Sequence, residues 1–161
     1  MVLFIPITLN ILGIIYTYMT SIAIHKKKIM EHMEELQDAI NIGIASRPAT
    51  IGFHTTACAI DMLEVYLHKK ELIDIGKNVK HDWFKRPRKE QKIIPLIERK
   101  LPVNFDDKER IYELMYTLEE NRNILIYGKA TTQQIDMVLN IFQKLKTILI
   151  DKLEEEGETI E

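Results

Sequence analysis

The sequence predicts an all-α protein: an up-and-down bundle of four long helices, with a basic insertion between the second and third and an apolar segment ahead of the first. Three observations carry this. Apolar residues recur at helical spacing along four long stretches. Strand-like alternation is scarce, and Gly and Pro number only 6 and 5 in 161 residues, few for a loop-rich or β-rich chain. With 46% apolar residues the chain suits one domain with a sizeable core.

Residues 1–24 contain no charged residue and no His, and His25-Lys26-Lys27-Lys28 follows at once. That length can span a bilayer, with the Lys cluster on the cytoplasmic side. Pro6, Asn10 and the Thr residues at 8, 17 and 20 interrupt the apolar run, and no small-residue cleavage pattern marks a removable signal. The segment fits a membrane anchor, a hydrophobic helix packed on the domain, or an upstream extension of a frame that starts at Met19 or Met30. The predicted organisation is therefore an apolar leader at 1–25, a helical domain at 26–155 and an acidic tail at 156–161.

The first helix is predicted from about Lys26 to Ala45, on Ile29, Met33, Leu36, Ile40 and Ile44. Arg47-Pro48 breaks it, because a residue before Pro is pushed out of the helical region. The second runs from about Ala49 to Leu72, with Ala59, Met62, Leu63, Tyr66 and Leu67 as its stripe. The short link between the two predicts antiparallel packing. Residues 73–105 hold Pro87, Pro95, Pro102 and the only Trp, so they read as a long connection with a short helix near Ile93–Glu98. Asp106-Asp107 supplies acidic residues for the start of the third helix, and Ile111, Leu114, Met115 and Leu118 carry it toward Arg122, with Gly128 to end it. Thr131 and Gln134 form a capping-box pattern ahead of the last helix, which Ile135, Val138, Leu139, Phe142, Leu145 and Leu149 carry to about Leu153.

The formal net charge of −2 hides an uneven distribution. Residues 77–100 carry nine Lys/Arg against three acids, and the last eleven residues carry six acids against one Lys. A basic stretch of this kind, with Lys80, His81, Lys85, Arg86, Arg88 and Lys89, suits phosphate contacts; its bland alternative is a solvated face with a frayed acidic tail. The single Cys58 excludes an internal disulfide and fits a reducing, cytoplasmic compartment, with anchorage through residues 1–24 as the membrane-bound variant. No His, Cys or carboxylate spacing suits a metal, so neither a metal site nor a cofactor is predicted. Asp61, on an otherwise apolar helix, needs a buried partner, and Arg122 is the candidate. Trp83-Phe84 can stack on bases or anchor the connection on the core.

Three segments carry a resemblance. Phe53-His54-Thr55-Thr56-Ala57-Cys58-Ala59-Ile60-Asp61 has an aromatic, small residues and then an acid; Lys80-His81-Asp82-Trp83-Phe84 opens the connection; and Asn121-Arg122-Asn123-Ile124-Leu125-Ile126-Tyr127-Gly128 closes the third helix. In this order the chain resembles the HEPN superfamily over about residues 26–155, and Arg122-Asn123 resembles the start of its Arg-Asn-x-x-x-His signature, with Tyr127 in place of the His. The resemblance implies a homodimer of helical hairpins and a metal-independent ribonuclease of toxin–antitoxin type. It assigns Arg122 to the scissile phosphate, with Asn123 and Tyr127 beside it. The alternative it implies is a non-catalytic homodimeric module that pairs with a nucleotidyltransferase-like protein. A phenol with an ordinary pKa near 10 is a poor base at neutral pH, so the Tyr127 replacement weakens catalysis. His81 and His54 are the other imidazoles available to replace it.

Overall fold

The computed structural model describes residues 21–160. Residues 1–20, and with them most of the predicted leader and membrane anchor, lie outside the described residues. Among the described residues no helix is long and apolar enough to cross a membrane.

α1 (Ile22–Ile42) begins a turn earlier than the periodicity predicts, because Ser21 caps it: the Ser21 hydroxyl accepts the Ile24 N–H at 3.3 Å. The extra turn takes His25 into the helix and buries it. Gly43, at φ 123°, ends α1, and one 3-10 turn leads to Pro48 at the start of α2 (Pro48–Lys69), where its missing N–H leaves no helical bond unmade. His25 meets Asp61, the Cys58 thiol meets the Ile29 carbonyl, and His32 meets His54, so α1 and α2 run antiparallel as predicted.

α2 is the hub. It packs on α1 and on the two last long helices, α4 (Lys108–Tyr127) and α5 (Thr132–Glu155), and every residue from Cys58 to Leu67 is buried. A helix covered on all sides is normally apolar all round. This one carries Asp61 and Glu64 into the interior, which makes their partners matter. Gly52 sets the crossing of α2 on α4, because a Cβ there would fall 2.7 Å from the Leu125 Cβ.

The connection between α2 and α4 is pinned from below. Phe84 is wholly buried, its ring edge-on to Tyr112 and Tyr116 at 5.4 and 6.0 Å. Trp83 is half-buried against the same core, so this pair anchors the connection. The short helix α3 (Leu96–Lys100) starts later than predicted, with Pro95 as its cap, and buries Ile97. Asp107, in the left-handed region at φ 61°, precedes α4, and its carboxylate reaches Lys152 on α5 at 3.0 Å. Gly128 ends α4 without a left-handed turn; clearance demands the glycine, since a Cβ would lie 2.9 Å from the Ile124 carbonyl. The predicted capping box of Thr131 and Gln134 opens α5.

Val138, Phe142 and Leu145 are buried in the chain's own core, and Leu139 and Ile141 are partly buried against it. The acidic tail is tied down rather than frayed. Glu156 pairs with Lys70 at 3.0 Å, and Glu158 pairs with Lys26 at 2.7 Å and Lys69 at 3.4 Å. The bond from Lys26 holds the Glu158 carboxyl below its ordinary range.

Candidate functional site

An open cleft of about 710 Å³ lies where α1, α2, the start of the connection and α4 converge. α1 contributes Lys28 and His32, α2 contributes Phe53, His54 and Asp61, and the connection contributes Lys80 and His81. α4 adds Arg122. Three cations and three imidazoles thus share one concavity with the carboxylates of Glu31, Asp61 and Asp82.

A chain of polar groups between α1 and α2 runs from the cleft-lining His54, His32 and Asp61 to the buried His25 and Glu64. His25 Nδ1 lies 2.7 Å from Asp61 Oδ1, and its Nε2 lies 2.9 Å from Glu64 Oε2. Burial alone would lower the His25 pKa, but the two carboxylates outweigh it and hold the imidazole up to about 9. His25 is therefore an imidazolium at neutral pH. Asp61, which burial would push up, is instead held low by its bonds from His25 and His32. Glu64 also accepts the Val79 N–H, which ties the connection to α2. His32 continues the chain, with Nε2 3.4 Å from Asp61 Oδ2 and Nδ1 2.9 Å from His54 Nδ1. Burial, and then the His32 ring beside it, lower the His54 pKa below its ordinary value.

His25, Asp61 and Glu64 place ligand atoms within 4.8 Å of one another, a grouping the sequence reading did not foresee. Both His25 nitrogens face carboxylates, at 2.7 and 2.9 Å. The trio is a buried ion-pair cluster by this chemistry.

Several predicted site residues meet in the cleft and others do not. Arg122, Lys80, His81 and Asp61 line it. Asp61, however, takes His25 and His32 as partners in place of Arg122. Tyr127 is 78% exposed at the end of α4 and stands outside the cleft, as does the exposed Asn123. The reason is helical geometry: five residues at about 100° each put Tyr127 about 140° away from the face of Arg122. Arg86 is committed elsewhere. Its guanidinium forks onto Glu113 at 2.8 and 2.8 Å, bonds Glu120 at 2.6 Å and lies 4.8 Å over the Tyr116 ring. Lys85, Arg88 and Lys89 are exposed and lie outside the cleft.

The cleft instead gathers His32 and His54, and His81 has its Nδ1 held 2.8 Å from the buried Glu119. A signal for the first two was present in the sequence. His25 and His32, like His54 and Asp61, are seven residues apart, so each pair lies on one helical face. Polar pairs at that spacing on adjacent helices mark a polar seam between them.

Fold and site together define, among the described residues, an all-helical protein with an imidazole-rich cleft lined by both cations and carboxylates. Comparison with known proteins finds no matching family model, no similar curated protein and no similar solved structure.

Proposed function

We propose that the chain is a HEPN-like, RNA-directed protein whose cleft cleaves single-stranded RNA without a metal. The observation that carries the reading is the convergence of Arg122, His54 and His81, with Lys28 and Lys80, on one open cleft. A guanidinium fork matches two phosphate oxygens and stabilises the charge that develops on them. One imidazole takes the proton from the ribose 2′-hydroxyl, the 2′-oxygen attacks phosphorus, and the bond to the 5′-oxygen breaks. A second imidazole returns a proton to that leaving oxygen. The products are a 2′,3′-cyclic phosphate and a 5′-hydroxyl. In this scheme the imidazole the superfamily signature carries on the third helix is supplied from α2 and the connection, and Tyr127 has no part. The non-catalytic module is the second reading; the imidazoles that share the cleft with Arg122 favour cleavage over it.

The test is cleavage of a single-stranded RNA in excess chelator. The native protein yields the cyclic phosphate, Arg122→Ala lowers the rate about 10²–10³-fold, and Tyr127→Phe leaves it unchanged. Cleavage that persists undiminished in Arg122→Ala, or RNA binding indifferent to both salt and Arg122, overturns the reading.

A further inference from the structure

The geometry points to a proton-positioning chain, Asp61–His32–His54, that fixes which nitrogen of His54 carries the proton and leaves its Nε2 as the bare nitrogen for the cleft. The inference rests on the proposed RNA cleavage for its catalytic meaning, though its tautomer assignment stands on the interior geometry alone.

The assignment follows atom by atom. Asp61 is ionised and can only accept, so the His32 Nε2 that faces Oδ2 at 3.4 Å carries a proton. His32 Nδ1 and His54 Nδ1 approach to 2.9 Å, a distance that requires one proton between them. Asp61 already receives the positive charge of His25 at 2.7 Å and the field of Lys28. With its proton drawn to Nε2 by the Asp61 carboxylate, His32 presents Nδ1 to His54 as the acceptor. His54 must then donate from Nδ1, which leaves the lone pair on Nε2. Glu35 and Glu31 on α1 also act on His54 and raise its pKa, but burial, the largest influence, keeps it below its ordinary value.

This arrangement gives His54 the role of base. Its Nε2 takes the 2′-hydroxyl proton while Nδ1–H remains bonded to His32, and the positive charge that develops on the ring is stabilised through His32 by Asp61. The 2′-oxygen bonds to phosphorus, the bond to the 5′-oxygen breaks, and His81 supplies the proton to that oxygen. His54 is catalytic in this scheme, whereas His32 and Asp61 are positioning residues. His25 has a distinct duty: by saturating Oδ1 of Asp61 it turns Oδ2 to His32.

Ring-nitrogen NMR of the uniformly ¹⁵N-labelled full chain at neutral pH tests the assignment without reference to activity. The expected pattern is a protonated Nδ1 and bare Nε2 on His54, with the opposite on His32. Asp61→Asn, whose amide can donate to His32, should move the His32 proton to Nδ1 and the His54 proton to Nε2. Should that variant fail to fold, His32→Leu removes the acceptor alone and should release the His54 proton to Nε2. In the cleavage assay His54→Ala should lose about 10²-fold or more, and Asp61→Asn or His32→Leu should lower kcat with KM little changed. A native His54 bearing its proton on Nε2, or a doubly protonated His32, overturns the chain even if RNA is cleaved. The expected tautomers in a protein that never cleaves RNA would preserve the chain and sink the proposed function.

Discussion

Charge is most conspicuous in the connection between α2 and α4, yet the groups with chemistry available to them sit mostly on the quieter α1–α2 hairpin. Nine Lys/Arg fall within residues 77–100, but of these only Lys80 lines the cleft, and Arg86 is held by Glu113, Glu120 and Tyr116. The hairpin places His25, His32, His54, Asp61 and Glu64 in one continuous polar chain. Exposed ion pairs sit in water and are worth little, whereas a buried charge without its partner is very costly. Density of charge along a sequence is thus a poor guide to where charge matters; burial and partner geometry decide it.

The sharpest way to break this contrast is to remove the buried partner. Asp61→Ala leaves the His25 imidazolium with Glu64 alone and should destabilise the fold by about 3–5 kcal/mol, read from denaturant midpoints. Phe84→Ala should cost a similar amount, about 3–5 kcal/mol, because apolar anchoring, not basic charge, holds the connection down. An Asp61→Ala loss of only a few tenths of a kcal/mol would erase the distinction between the two regions.

The close helix crossing should respond next. Gly52→Ala places a Cβ 2.7 Å from the Leu125 Cβ, so α4 must shift, at about 1–3 kcal/mol. The shift also moves Arg122, whose carbonyl lies 3.4 Å from that Cβ position. RNA affinity should fall together with the thermal midpoint, and a fall in stability alone would detach the cleft from this crossing.

pH separates the two regions more gently. The His25 pKa is raised from 6.5 to about 9, so the folded state binds more protons than the unfolded state between those values. Its stabilisation is complete below about 6.5 and is lost as pH rises through 9. His54 and His68 are lowered, chiefly by burial, so stability should also decline as pH falls below 6.5. A stability maximum near neutral pH is expected in unfolding curves, and His25→Gln should flatten the alkaline limb.

The smallest effect should come from Arg86→Ala, because its carboxylate partners are substantially exposed. We expect a loss of about 1 kcal/mol or less, shrinking in high salt. RNA affinity should barely change, since Arg86 stands outside the cleft.

The sequence by itself determined the helices and most of their ends. Apolar spacing placed four long helices, the Thr131–Gln134 pattern fixed the start of α5, and Pro48 and Gly128 marked boundaries, because these signals act within a few residues of one another. Trp83-Phe84 left two readings open, and burial decided between them. The sequence also supplied Arg122, His81 and Lys80, and named His54 as an available imidazole. Only the tertiary structure decided that Asp61 belongs to His25 and His32, and that Glu158 folds back onto Lys26 and Lys69. Those choices join residues from 29 to 132 positions apart. They depend on which helix faces meet, and helical periodicity gives the face of each residue but not the neighbour that covers it.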